Sequence, residues 1–100
     1  MRDNRAAKGF PMTIYIVSFE VGSADRITKV RSQLKSYGRY CPINAACWAI
    51  GTDKSAVQVR DELLPLLDAA DRLFVIRSGT EAAWYNSYGE KNDEWLKKNL

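Results

Sequence analysis

The residues able to do acid–base or metal chemistry are few in this 100-residue chain. There is no histidine, which excludes serine–histidine and cysteine–histidine nucleophile systems and histidine metal sites. Cys41 and Cys47 stand in a C-x5-C spacing. Two thiols cannot complete a tetrahedral zinc site, so they read as small, half-buried apolar side chains. One acid stands apart: Glu20 closes the run TIYIVSFE. On a face shared by two copies of the chain, paired Glu20 carboxylates could hold a hard cation such as Mg²⁺, which polarises phosphoryl oxygens or activates water. The bland alternative is a strand-end acid in solvent or in an ion pair.

A second chemistry is phosphate contact. Residues 25–39 carry Arg26, Lys29, Arg31, Lys35 and Arg39 against Asp25 alone, a net charge of +4, whereas residues 53–71 are net −3. Such a basic segment could follow a nucleic-acid backbone. A solvated helix face is the competing reading, because Arg31 and Lys35 share one flank while Lys29 lies on the other. The overall charge of +3 adds little, since Arg2, Arg5 and Lys8 against Asp3 supply +2 of it.

The elements that must position these residues follow from periodicity. Residues 13–21 alternate as a strand, with Ile14, Ile16, Ser18 and Glu20 on one side and Tyr15, Val17 and Phe19 on the other. Ser23 is an N-cap for a helix over 24–37, whose Ile27, Val30, Leu34 and Tyr37 form one apolar stripe. Gly38 ends it. Residues 39–51 predict a hairpin with arms Tyr40–Cys41 and Ala46–Ile50, Pro42 confining the first arm to an edge. Ser55 and Gln58 predict a capping box for a second helix to about Leu67, kinked or ended early by Pro65. RLFVIR, 72–77, is the last strand, and a short helix is expected from Asp93. Tyr15, Phe19, Trp48 and Phe74 are expected in the core.

The order β-α-β-β-α-β predicts an α+β, ferredoxin-like fold: an antiparallel sheet with two helices on one face, plus a C-terminal helical extension. The expected layout is a disordered tail at 1–11, the domain at 12–79, and an extension at 80–100. Strands one and four are apolar on both faces, so something beyond the two helices must cover the sheet. Another copy of the chain or the C-terminal segment could do so; the expectation is a homodimer packed sheet against sheet, with the C-terminal segment wrapping the partner or closing an edge, and C2 dimers are the commonest closed assembly. No apolar run has the roughly 18 residues a membrane span needs, and no secretory signal is visible, so a cytoplasmic protein with reduced thiols is expected.

The segments SFEVGSADR, LKSYGRY and PINAACWAIG, in this order and spacing, resemble the CRISPR-associated Cas-two family and its VapD-like relatives over about residues 12–77. Phe19-Glu20 stands at that family's Tyr-Asp position and Tyr37-Gly38 at its Tyr-Gly position. The resemblance implies a ferredoxin-like homodimer, metal-dependent cleavage of RNA or DNA in some members, and structural roles in others. The metal-facing aspartate of the family falls on Glu20, one methylene longer here. Three functions stay open: a Mg²⁺-dependent nuclease of toxin or defence type, a non-catalytic dimer that binds nucleic acid or scaffolds a partner, and a small-ligand or regulatory dimer.

Overall fold

A computed structural model describes residues 12–100. The expected disorder of residues 1–11 lies outside the described residues. The elements are β1 (Thr13–Glu20), α1 (Ala24–Lys35), β2 (Arg39–Asn44), β3 (Cys47–Thr52), α2 (Ala56–Leu63) with a single 3-10 turn (Leu64–Leu66), β4 (Arg72–Arg77) and α3 (Glu90–Asn99). The strands form one antiparallel sheet in the order β2-β3-β1-β4, the ferredoxin-like arrangement.

Local chemistry sets the boundaries. The Ser23 side chain accepts the Arg26 amide and starts α1. Ser55 and Gln58 exchange both bonds of a capping box at α2. α1 ends two residues before the expected limit, because Gly38 takes a positive φ of 84° and the chain must turn into β2. Pro65 stands in the 3-10 turn that replaces the last expected turn of α2. The first hairpin arm is longer than expected and runs through Pro42. β2 is an edge strand, where a residue without an N–H is tolerated, and a bulge between Pro42 and Asn44 absorbs the irregularity.

The alternation in β1 sorts the two sheet faces. Tyr15, Val17 and Phe19 join Trp48 and Ile50 of β3, Val30 and Leu34 of α1, and Val59 and Leu63 of α2 in the main core. The opposite face is divided. Over β2 and β3, α3 packs Leu96 on Cys41 and Ala49, with Ile16, Ile43, Trp84, Trp95 and Leu100 around them. Trp84 Nε1 donates to Asp93 (2.8 Å), and Asn92 Nδ2 donates to the Pro42 carbonyl (3.2 Å), so the loop and helix are pinned to the edge strand. The helix begins at Glu90, a turn earlier than expected, so that Glu90 and Asp93 both lie near its positive end.

Among the described residues, no element covers the β4 half of that face. Phe74, expected in the core, is 61% exposed and Ile76 is 51% exposed. Both face away from α1 and α2, and α3 sits over the other half of the sheet.

Candidate nucleic-acid interface

Glu20 is the last residue of β1 and pairs in register with Arg72 of β4. Arg72 Nη1 donates to Glu20 Oε1 at 2.8 Å, with both side chains mostly in solvent. The pair sits on the rim of a groove of about 810 Å³ lined by Ser18, Phe19, Ala46, Leu73 and Phe74. Among the described residues no three Asp, Glu or Cys side chains converge. A single carboxylate already matched by a guanidinium is a poor donor set for Mg²⁺, which needs one or two carboxylates and several waters. Among the described residues one chain brings a single carboxylate, Glu20, to this groove.

The five cations of the basic segment part company. Arg26 lies at the start of α1 and grips Asp71 through two bonds (Nε, 2.9 Å; Nη2, 3.0 Å), so the guanidinium expected at phosphates is engaged in tying α1 to the loop before β4. Lys29 pairs with Asp25 one turn back, at 3.4 Å. Arg31, Lys35 and Arg39 are different. Among the described residues none of these three pairs with a carboxylate; Arg31 donates to the Ala45 carbonyl (3.0 Å) in the β2–β3 turn.

These three cations border the free edge of β2 on both of its faces. Consecutive residues of a strand point to opposite sides. Tyr40 therefore faces α1, where it lines a groove of about 530 Å³ with Arg31, Lys35, Pro42, Asn44, Trp48 and Tyr88. Arg39 faces the other way, into a smaller groove of about 260 Å³ shared with Lys91, Trp95 and Lys98 of α3. Among the described residues, Glu94 is the one acid that lines either groove.

The larger groove has an aromatic floor. Tyr40 stacks on the buried Trp48 with ring centroids 5.6 Å apart and planes 22° apart. Tyr40 keeps 38% of its surface exposed, and Tyr88, from the loop before α3, keeps 60%. Tyr40, Tyr88, Lys91 and Lys98 are not singled out by the sequence reading. The one local hint is the adjacency of Arg39 and Tyr40 in a strand that Pro42 confines to an edge. Burial pushes the Cys41 and Cys47 thiols up, and both cysteines are free, in keeping with packing rather than reactivity.

No family model and no curated protein matches the chain. A solved structure, the hypothetical protein TT1823 from Thermus thermophilus, superposes with a TM-score of 0.64 at 21% identity, covering 75% of this chain and 92% of its own. The likeness is one of fold. No helix is long and apolar enough to cross a membrane, among the described residues.

Proposed function

We propose that this chain binds nucleic acid along the outer edge of β2, with Arg31, Lys35, Arg39, Lys91 and Lys98 as its phosphate contacts. The observation that carries the reading is the segregation of charge. Among the other described cations, six sit against carboxylates: Arg26 with Asp71, Lys29 with Asp25, Lys54 with Glu62, Arg60 with Asp61, Arg72 with Glu20 and Lys97 with Asp93, while Arg77 stands alone at the end of β4, away from this edge. The five around β2 have no such partner among the described residues, and uncompensated cations on one rim attract a polyanion. Binding that weakens steeply with salt tests this. Replacing Lys35 and Arg39 together by Ala should flatten the plot of log K against log salt by about 1.4–1.8, two phosphate contacts' worth. An unchanged slope sinks the reading.

The proposal extends to assembly. A second copy covers the bare half of the sheet, where Ser18, Phe74 and Ile76 stand exposed. The Cas-two-like and VapD-like motifs are consistent with such a homodimer. A second reading, a Mg²⁺-dependent nuclease of RNA or DNA, draws on the position of Glu20 at the rim of the groove of about 810 Å³, on that same face. It requires the partner copy to supply the second carboxylate. A nuclease assay with and without Mg²⁺ decides it: cleavage that persists undiminished in Glu20→Ala removes Glu20 from any such site.

A further inference from the structure

We propose that the groove between α1 and β2 is a base-stacking site for single-stranded nucleic acid, with Tyr40 as its platform and Tyr88 as its second ring. The inference deepens the phosphate-contact reading above and rests on it. That reading says only that a polyanion lies along β2. The groove itself says which form of the polyanion.

Aromatic rings recognise the flat face of a base, and a duplex hides those faces within its own stack. A pair of partly exposed tyrosines beside uncompensated cations therefore favours unpaired bases. Tyr40 suits the role because it is held rather than loose. Its ring lies nearly parallel to Trp48, which is buried in the main core, and its backbone belongs to the sheet. A ring already fixed in orientation loses little entropy when a base lands on it. Tyr88 sits on a loop that is tied down nearby, since Trp84 is bonded to Asp93 and Gly89 leads directly into α3.

The wall of the groove supplies the backbone contact. Arg31 and Lys35 are four residues apart on α1, one helical turn, so they lie one above the other along the groove. Arg31 uses one donor on the Ala45 carbonyl, and a guanidinium carries five. The volume of about 530 Å³ falls within the roughly 300–1,000 Å³ of ligand clefts. The groove lies on the helix side of the sheet, while Glu20 faces the open side. A strand seated here is bound by α1 and β2 without passing over the Glu20–Arg72 pair, so this site is separate from the nuclease reading.

The test is a set of fluorescence-anisotropy titrations of the full chain. The probes are an end-labelled pyrimidine single-stranded RNA, the matching single-stranded DNA, and a duplex of the same length, each at several salt concentrations. The expected result is tighter binding of the single strands than of the duplex. Tyr40→Ala should weaken single-strand binding roughly 5- to 100-fold, the range of one lost stack. It should leave the salt slope and the duplex affinity unchanged, and Tyr40→Phe should restore binding. Tyr88→Ala, in an exposed loop residue whose loss leaves the core intact, should weaken single strands in the same way. Comparison of the RNA and DNA arms shows which sugar is preferred. Single-strand binding that ignores both tyrosine changes, or a preference for duplex, overturns the stacking site and leaves the phosphate reading standing. Failure of the folded wild-type protein to bind any of the three probes overturns both.

Discussion

Arg26 and Asp71 clasp the first turn of α1 to the loop before β4. Two guanidinium bonds of 2.9 and 3.0 Å meet the two carboxylate oxygens, and the amides of Gly22 (3.0 Å) and Asp68 (2.9 Å) fill the remaining acceptor sites. The Asp71 side chain is only 2% exposed. This one carboxylate organises both turns at the end of the sheet where Glu20 and Arg72 emerge. Asp71→Ala leaves the guanidinium and two amides without acceptors, so the thermal midpoint should fall by several degrees, whereas Glu20→Ala, in a solvent-exposed pair, should barely move it.

The same clasp gives a dependence on acid. The Arg26 guanidinium, then the Asp68 and Gly22 amides, hold the Asp71 carboxyl well below the usual carboxylate range. A depressed folded-state value means that the stabilisation is complete above the unfolded value of about 3.9 and is lost as pH falls from there toward the folded value. The difference in thermal midpoint between wild type and Asp71→Asn should therefore be largest near neutrality and shrink below about pH 4. A difference that stays constant into acid would show that Asp71 acts through its shape alone.

Tyr37 gives the opposite limb. Its hydroxyl donates to Glu62 Oε1 (2.5 Å), Lys54 pairs with the other oxygen of Glu62, and the Lys54 ammonium lies 5.7 Å from the Tyr37 ring centre. Burial first, and the bond to Glu62 second, push the Tyr37 phenol up to about 12. A raised folded-state value stabilises fully below the ordinary tyrosine value of about 10 and is lost as pH climbs through 12. Ultraviolet titration should show one phenolate forming late. Tyr37→Phe should cost on the order of 1 kcal/mol at neutral pH and should remove the alkaline loss between about 10 and 12.

These couplings mark the line between what the chain reveals by itself and what it does not. The period-2 pattern of TIYIVSFE assigns every β1 side chain to a face, because alternation is a property of the strand alone. Ser23 and Ser55 mark helix starts through bonds within four residues, and Pro65 marks an end through the N–H it lacks. The clasp of Arg26 with Asp71 spans 45 positions, and nothing local to either residue announces it. Phe74 illustrates the same limit: alternation shows that β4 has two apolar faces, but which is covered depends on where α3 lands. The aromatic groove escapes notice for that reason too. Tyr40, Lys35 and Tyr88 come from three elements and meet only through the sheet order β2-β3-β1-β4.

The extension over 80–100 is part of the fold. Leu96 is 3% exposed and seals Cys41 and Ala49 from solvent. Leu96→Ala should cost about 2–4 kcal/mol, the range for a buried leucine truncation. It should also speed the reaction of Cys41 with a thiol reagent, which in the wild type must wait for α3 to lift. An unchanged thiol rate would place α3 elsewhere than on this face.

The bare half of the sheet sets the last prediction. Phe74 and Ile76 alternate on the same face of β4, and Ser18, the register partner of Phe74, lies beside them on β1. Two large apolar side chains left in water forgo roughly 1.5–3 kcal/mol each of transfer free energy, so a second copy seated here gains what the monomer cannot. Because this face already looks outward, Phe74→Asp should leave the thermal midpoint of the monomer nearly unchanged. Its effect should fall on association, weakening the dimer at least tenfold, since a carboxylate at the centre of an apolar contact must be desolvated without a partner. Sedimentation at several concentrations reads this directly. Wild type should shift from about one chain mass to two as concentration rises, and Phe74→Asp should stay at one. A wild-type protein that sediments as a monomer throughout would remove the partner copy, and with it the only route by which two Glu20 carboxylates could share a site.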